Sequence, residues 1–298
     1  MPAQVFYAKD PARAADLFEA AGFAGLIKTN EPVALKIHFG EPGNTAYLKP
    51  ARVQPVFAGI AALGGQPFYT DCNTLYTGRR HVTRDHLAVA REHGYENVSI
   101  PEEEEQTAVA VNLKHFKQVF LGNNAVNSKT IIALTHFKGH EVSGFGGALK
   151  NLGMGFGSRK GKLKMHQDCR NCPEAKACKK NQTLEACWFG SPALVQEKIV
   201  EYAYGAVKGK ACGYFNFITD VSPACDCYPH NDPPVIPDLG VLASSDPVAL
   251  DQASIDLVNQ AAGRDIFREL YPAADWNIQL DYAARIGLGS RKYGLITL

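Results

Sequence analysis

Short apolar runs alternate with helix-like segments along most of the chain, and this alternation constrains the fold more than any other feature. The apolar runs predict strands at 32–39, 66–72, 97–100, 129–137, 213–219 and 239–244. Amphipathic segments between and after them predict helices at 51–63, 84–93, 192–207, 246–258 and 276–285. Strands that alternate with helices are typical of an α/β fold with a mostly parallel sheet.

The middle of the chain breaks this pattern. Residues 139–164 hold eight glycines and five Lys or Arg residues and have no clean period, and a polar, cysteine-bearing stretch follows. We therefore expect two mostly parallel-sheet α/β lobes with a cleft between them. The N-terminal lobe would cover residues 1–125 and the C-terminal lobe 126–298, with a short irregular cysteine-rich insert at about 160–190.

Charge and hydropathy exclude several classes of protein. With 31 Lys and Arg against 30 Asp and Glu, the net charge of +1 provides no general basic field for nucleic acid. No apolar run is long enough to cross a bilayer, and residues 2–18 lack the features of a secretory signal. We expect a cytoplasmic protein, where eight cysteines favour metal or redox roles over disulfides. The oligomeric state stays open.

Four cysteines lie within 19 residues of one another in a polar segment. They are Cys169, Cys172, Cys178 and Cys187, with two, five and eight residues between them. Four thiolates suit either one [4Fe–4S] cluster or one Zn²⁺ ion. The spacing matches neither a bacterial ferredoxin run nor a standard zinc finger, so it predicts one metal centre and leaves the metal open.

A second pair of cysteines follows the predicted strand at 213–219. Cys225 and Cys227 flank Asp226 and would share one face if the segment were extended. Active sites of open α/β sheets lie beyond the carboxyl ends of strands, which is where this segment stands. It could hold a second metal or provide a redox thiol, or it could be a proline-stabilised loop with incidental thiols.

Polar residues also cluster at the ends of other predicted strands. The candidate catalytic residues are Lys36, His38, His136, His140, Lys150, Cys225, Asp226 and Cys227. The candidate cofactor-binding residues are Asn73, Arg79, Arg80, Gly144, Gly146, Gly147, Lys150 and Asn151. Glycine-rich backbone beside a lysine can bind an anion, although no P-loop motif is present, and a flexible hinge is an equal alternative.

Several long motifs resemble the family of iron–sulfur-centre proteins known as domain of unknown function 362. They are LKIHFGEPGNTAYLKP, TDCNTLYTGRRH, THFKGHEVSGFGGALKNLGMGFGSRKGK, FNFITDVSPACDCYP and ASSDPVALDQASIDLVN, and they cover roughly residues 30–260. The resemblance implies an iron–sulfur protein. Members typically carry a ferredoxin-like insert with two bacterial-type cysteine runs, and this chain has the shorter four-cysteine segment instead. His166 stands where the family pattern has a His ahead of the insert.

The segment HFKGHEVSGFGGALKN is also distantly similar to a loop of the lactate racemase family, which has a nickel-pincer nucleotide. That similarity implies two α/β domains with a cleft, and it concerns architecture more than chemistry.

Three functions remain open. The first is a redox enzyme or electron-transfer protein that uses a cluster on the four cysteines and a small anionic substrate or cofactor between the lobes, with an electron-transfer partner protein. The second is a non-redox metal-dependent isomerase, racemase or hydrolase with a structural zinc site. The third is a ligand-binding or metallochaperone module. None of them involves nucleic acid or a membrane.

Overall fold

The structure, a computed structural model, describes residues 2–298. Its strands are β1 (Ala3–Ala8), β2 (Pro32–Lys36), β3 (Gln66–Thr70), β4 (Val98–Ser99), β5 (Gln106–Ala110), β6 (Gln118–Gly122), β7 (Thr130–His136), β8 (Lys138–His140), β9 (Gly144–Gly146), β10 (Ala211–Ile218), β11 (Gly240–Ser244) and β12 (Tyr293–Thr297). Its α-helices are α1 (Ala14–Ala20), α2 (Pro50–Ala62), α3 (Thr83–Glu92), α4 (Asn123–Asn127), α5 (Ala148–Phe156), α6 (Arg159–His166), α7 (Lys180–Thr183), α8 (Pro192–Val207), α9 (Pro247–Ala262), α10 (Ile266–Leu270) and α11 (Asn277–Arg285). Short 3₁₀ helices occupy Pro11–Arg13 and Phe23–Leu26.

A single eight-stranded sheet forms the centre of the fold, in the order β12-β1-β11-β10-β7-β2-β3-β4. Strand β11 runs antiparallel to β1 and β10, and the other neighbouring pairs are parallel. Strands β5 with β6 and β8 with β9 form two small antiparallel hairpins. The prediction of an α/β fold with a mostly parallel sheet is confirmed.

The expectation of a separate sheet in each lobe is wrong. Strand β7 from the C-terminal half pairs with β2 on one side and β10 on the other, so strands of both halves share one sheet. The apolar pattern identifies buried strands but carries no information about which strands pair. The division of the chain near residue 125 stays a prediction.

The sheet packs helices on both faces because alternate residues of each strand point to opposite sides. In β7, Ile131 and Ala133 contact the larger apolar cluster, which includes α5, α8, α9 and α11. Ile132 and Leu134 contact the second cluster, formed with α1, α2 and the segment after α3. All seven residues of β7 are buried, as its nearly continuous apolar run predicts.

Local sequence signals predicted the bounds of some helices and strands correctly and failed to predict other elements. Helix α8 has the predicted bounds, with Ser191 accepting a hydrogen bond from the Leu194 N–H at 3.4 Å and Pro192 at the first helical position. The glycine-rich stretch, predicted without regular structure, contains β8, β9, α5 and α6. Strands β1 and β12 and the hairpin β5–β6 were also missed. Across residues 2–298, none of the helices has the length and apolarity needed to cross a membrane.

Candidate metal centre and pocket

The predicted strand-end residues meet at one edge of the sheet. The parallel strands β2, β3, β7 and β10 end on the same side, and their following loops line a cavity of about 710 Å³. Helices α5 and α6 contribute Lys150, Asn151 and Lys162 to its wall. The cavity is therefore where the carboxyl ends of these strands predicted a ligand site.

Three side chains at this edge have the arrangement of a metal site. Candidate ligand atoms of His38, Cys225 and Cys227 all lie within 4.8 Å of one another, with 3.8 Å between His38 Nε2 and Cys227 Sγ. Within residues 2–298, no other group of three or more His, Cys, Asp or Glu side chains meets this spacing. Two thiolates and one imidazole suit Zn²⁺ and related transition metals, and three protein ligands leave a position open. The donor set thus fits a metal ion.

The segment carrying the two cysteines is fixed by the loops after β2 and β7. The Glu41 N–H donates to the Asp226 carbonyl at 2.9 Å, and the Gly139 N–H donates to the Ser222 carbonyl at 2.9 Å. A Cβ at Gly139 would lie 1.9 Å from the Pro223 carbonyl oxygen. Glycine is required there because the backbones approach so closely.

Asp226, between the two cysteines, is a fully buried carboxylate. His136 Nδ1 lies 2.9 Å from its Oδ2 and Lys138 Nζ lies 3.0 Å from the same oxygen. Burial alone would raise the pKa of Asp226, but His136 and Lys138 outweigh it and lower that pKa. His136 Nε2 faces the Thr219 carbonyl at 2.9 Å, so both its ring nitrogens face oxygen acceptors and neither is free for a metal.

One backbone group occupies Nδ1 of His38. The Gly40 N–H donates to it at 3.1 Å, which places the ring proton of a neutral imidazole on Nε2. Metal binding through Nε2 would require that proton on Nδ1, where Asp226 Oδ2 lies 3.9 Å away, beyond hydrogen-bond distance. Burial lowers the pKa of His38, and the nearby cations Arg80, Lys138 and Lys150 lower it further. The imidazole is therefore neutral, as a ligand must be.

The two thiols are linked to each other and to a lysine. A hydrogen bond from Cys227 lowers the pKa of Cys225, and Lys150 Nζ, 3.0 Å from Cys225 Sγ, acts in the same direction. The same bond raises the pKa of Cys227. Lys150 therefore supplies the positive charge that a buried thiolate needs.

A second buried charge network includes Glu41, Asp71 and Arg80, which also line the cavity. Lys36 Nζ lies 3.0 Å from Asp71 Oδ1 and donates to Asn151 Oδ1 at 2.8 Å. Arg80 Nε donates to Glu41 Oε2 at 2.5 Å. Burial would raise the pKa of Asp71, but Lys36 and neighbouring cations lower it. These ion pairs hold the side chains of Lys36 and Arg80 in place. The two cations therefore supply fixed positive charge near the cavity and do not act as proton donors.

His140 and the glycines shape the third side of the cavity. The Val142 and Ser143 N–H groups donate to His140 Nδ1 at 3.3 and 3.2 Å, which leaves the proton of the neutral ring on Nε2. Burial lowers the pKa of His140, and Lys150 lowers it further, which keeps it neutral. Both Gly146 and Gly147 line the cavity, whereas Gly144 packs against Trp276.

Helix α5 is anchored through Asp251 of α9. The Ala148 and Leu149 N–H groups donate to the Asp251 carboxylate at 2.7 and 3.0 Å. A Cβ at Gly147 would lie 2.3 Å from Asp251 Oδ1. Glycine at 147 therefore lets α5 begin on a buried carboxylate, which holds Lys150 and Asn151 against the cavity.

Besides Gly144, two more of the predicted cofactor-binding residues lie outside the cavity wall. Arg79 forms an exposed ion pair with Glu92 at 2.6 Å. Asn73 is buried and donates to Thr83 Oγ1 at 2.9 Å, and neither residue is among those that line the cavity. Both make structural contacts in this arrangement.

The four-cysteine segment, residues 167–191, differs from the rest of the chain. Cys169 and Cys178 are exposed, Cys172 and Cys187 are half-buried, and none of the described residues from 167 to 191 is buried. No three of the thiol sulfurs in this described segment all lie within 4.8 Å of one another, as the ligands of a single ion would. Cluster thiolates bind different irons and stand farther apart than the ligands of one ion. The donor set of four free thiols in a polar loop fits such a group.

The candidate catalytic and cofactor-binding residues predicted from the sequence leave out several residues of the cavity wall. Lys138 and Lys162 are buried lysines at the wall, and Tyr76, Glu41, His166 and Trp188 also line it. Lys138 had a signal, because it follows His136 by two residues and so shares its face in an extended chain. Trp188 directly follows Cys187, but nothing in the pattern placed it at the cavity.

Comparison with known proteins shows the family to which the chain belongs. The family model described as Domain of unknown function (DUF362) matches residues 33–256, most of the chain. The chain belongs to this family. None of the curated proteins matches it.

A solved structure of similar fold is the lactate racemase apoprotein from Thermoanaerobacterium thermosaccharolyticum. The match has a TM-score of 0.51 and 13% sequence identity, and it covers 87% of this chain and 57% of that chain. This DUF362 chain therefore spans little more than half the length of the racemase. At this identity the likeness concerns the fold alone.

Proposed function

We propose that this DUF362 protein is a metal-dependent enzyme that acts on a small anionic substrate in the cavity at the strand ends. The observation that carries the proposal is the meeting of His38, Cys225 and Cys227, of which His38 and Cys227 line that cavity and Cys225 is buried. A set of three ligands with one position open is typical of catalytic metal sites, whereas structural sites are closed by four.

A metal ion held there would act as a Lewis acid on a substrate oxygen in its open position. The Gly40 N–H donates to Nδ1 of His38 and orients the ring, and a metal on Nε2 would require the ring proton to move to Nδ1, 3.9 Å from Asp226 Oδ2. Lys150 neutralises the Cys225 thiolate. His140 offers an Nε2–H to a substrate oxygen on the neighbouring wall, as a neutral imidazole donor.

Positive charge at the cavity supports an anionic substrate. Four buried cations line it, namely Arg80, Lys138, Lys150 and Lys162. Arg80 and Lys138 are paired with carboxylates and Lys150 with the Cys225 thiolate, whereas the hydrogen bonds of Lys162 go to backbone carbonyls. A carboxylate or phosphate would find at Lys162 a positive charge that no salt bridge neutralises within residues 2–298.

Metal analysis of matched variants tests the proposal. Protein purified without oxygen and loaded with Zn²⁺ should lose about one equivalent of metal per chain in Cys227→Ser and in His38→Ala. Cys212→Ala, which removes a thiol of β10 far along the strand from this edge, should keep it. Equal zinc content in Cys227→Ser and Cys212→Ala contradicts the site.

A redox function is the second candidate. A [4Fe–4S] cluster on the four-cysteine segment would exchange electrons with a partner protein and with a substrate or cofactor in the cavity. The adjacency of Cys187 to Trp188, which lines the cavity, favours this candidate because it brings the segment to the cavity wall. An oxygen-free preparation that is brown and bleached by dithionite supports it. A colourless protein with stoichiometric zinc excludes it, and a metal-free protein that still binds a ligand favours a binding module.

A further inference from the structure

Trp188 connects the four-cysteine segment to the cavity. Its side chain is 55% exposed, yet it lines the cavity wall. The indole packs edge-on against His166, with ring centroids 4.5 Å apart and planes at 76°. His166 also lines the cavity, and burial together with nearby lysines lowers its pKa to about 3, so its ring is neutral. The indole therefore adds an apolar surface to a cavity that buried lysines also line.

The segment that carries Trp188 has little packing of its own. None of the 25 residues from 167 to 191, all of them described, is buried. Its ends are joined where the Gly190 N–H donates to the His166 carbonyl at 2.7 Å, and a Cβ at Gly190 would lie 2.6 Å from that oxygen. Between these ends, no apolar core can hold the segment in one conformation, so ligation by its thiols would supply the missing constraint.

Lys198 of α8 holds the start of the segment. It donates to the carbonyls of Lys164 and Gln167. Trp188 follows Cys187 directly in the chain, so metal ligation by Cys187 would act on the backbone of Trp188.

We propose that Trp188 determines which substrates fit the cavity, and that a metal centre bound by Cys169, Cys172, Cys178 and Cys187 holds its indole in place. This inference rests on the proposed function in that it takes the cavity as the substrate site. The substrate class it implies is a small anion with an apolar or aromatic part, because the anion faces lysines and the rest faces the indole.

Fluorescence tests the link between the segment and Trp188. The chain has two tryptophans, so Trp276→Phe leaves Trp188 as the single emitter. Zinc, which absorbs no visible light, should reduce acrylamide quenching of Trp188 about two-fold relative to the chelated protein. In the same background, Cys178→Ser should abolish this change and Cys227→Ser should keep it. If Trp276→Phe fails to fold, the difference between wild type and Trp188→Phe gives the same signal.

Quenching that does not respond to zinc overturns the inference, as does a response that survives Cys178→Ser.

Calorimetry tests the specificity, with oxalate and benzoate as probes. Trp188→Ala should weaken benzoate binding to the zinc-loaded protein about five-fold, since an aromatic contact is lost, and should change oxalate binding less than two-fold. Cys178→Ser should resemble Trp188→Ala. Phe189→Ala removes a neighbouring exposed aromatic side chain that is not among the cavity residues, and it should change neither.

The outcomes separate the two proposals. If neither probe binds to the wild type, the proposed anionic substrate fails, and the fluorescence experiment still decides the link between the segment and Trp188. If oxalate binds and the benzoate affinity is the same in wild type and Trp188→Ala, the proposed function stands and the inference about Trp188 is overturned.

Discussion

Two groups of cysteines lie in opposite surroundings in this molecule. Cys225 and Cys227 lie on a segment fixed by hydrogen bonds to two strand-end loops, beside a buried lysine and a buried carboxylate. The four cysteines of residues 167–191 lie on a stretch that has no buried side chain among its described residues. The first site is organised by the fold, so it is arranged before any metal binds. A metal bound to the second would have to bring its thiols together, because they do not converge by themselves.

The largest expected effect concerns the carboxylate that supports the buried pair. Asp226→Asn leaves His136 and Lys138 without their charged partner in the interior, which should lower the free energy of unfolding by about 3 kcal/mol. Urea denaturation of the chelated protein measures it. Asp168→Asn, in the four-cysteine segment, should stay within about 0.5 kcal/mol of wild type. Similar losses in both variants would remove the distinction between the two regions.

A smaller effect concerns pH and the charge network at Asp71. The pKa of Asp71 in the folded protein lies below its ordinary value of 3.8, so its ionised form stabilises the fold above that value, and this contribution is lost as the pH falls through the lower folded pKa. Asp71→Asn should cost about 2 kcal/mol at neutral pH and progressively less in acid. Denaturation between neutral and acid pH measures the difference. The exposed Asp16→Asn should follow the wild-type curve, and a constant gap for Asp71→Asn would contradict the sign.

The smallest effect concerns the mobility of the four-cysteine segment. Trypsin should cut the chelated protein at exposed Lys176 or Lys179, and bound Zn²⁺ should slow this cleavage about ten-fold because it orders the segment. Gel analysis of the fragments measures the rate. Cys178→Ser should be cut at the same rate with and without zinc. Protection that persists in this variant would show that something other than the thiols orders the segment.

Much of the fold was predictable because its signals are local. A nearly continuous apolar run predicted the buried strand β7, and Ser191 and Pro192 predicted the start of α8. Strand pairing was not predictable, since β1, β11 and β12 combine parallel and antiparallel neighbours that no local pattern encodes. Helix α5 was not predicted because the glycines in and before it weaken the helical pattern of the sequence. These glycines are needed for close contacts, such as that of Gly147 with Asp251.

The candidate site was predictable where strand ends carried it. His38 was named from its place on the predicted strand at 32–39, and Cys225 and Cys227 from their positions after the predicted strand at 213–219, and the structure brings them together. The sequence could not separate Asn73 and Arg79 from Arg80, because only the three-dimensional course of the loop turns Arg80 inward and leaves Arg79 exposed. Trp188 was missed for the same reason, since its contact with His166 depends on how the two ends of the segment meet.

The hydrogen bond between Gly190 and His166 has a consequence for how proteins of this kind can vary. The two ends of residues 167–191 meet at one hydrogen bond on the surface of the fold. The stretch can therefore be replaced by an insert of another length whose ends are equally close. A change in the length of this stretch would therefore leave the sheet and the helices on either side in place. In this chain the stretch places Trp188 at the wall of the cavity.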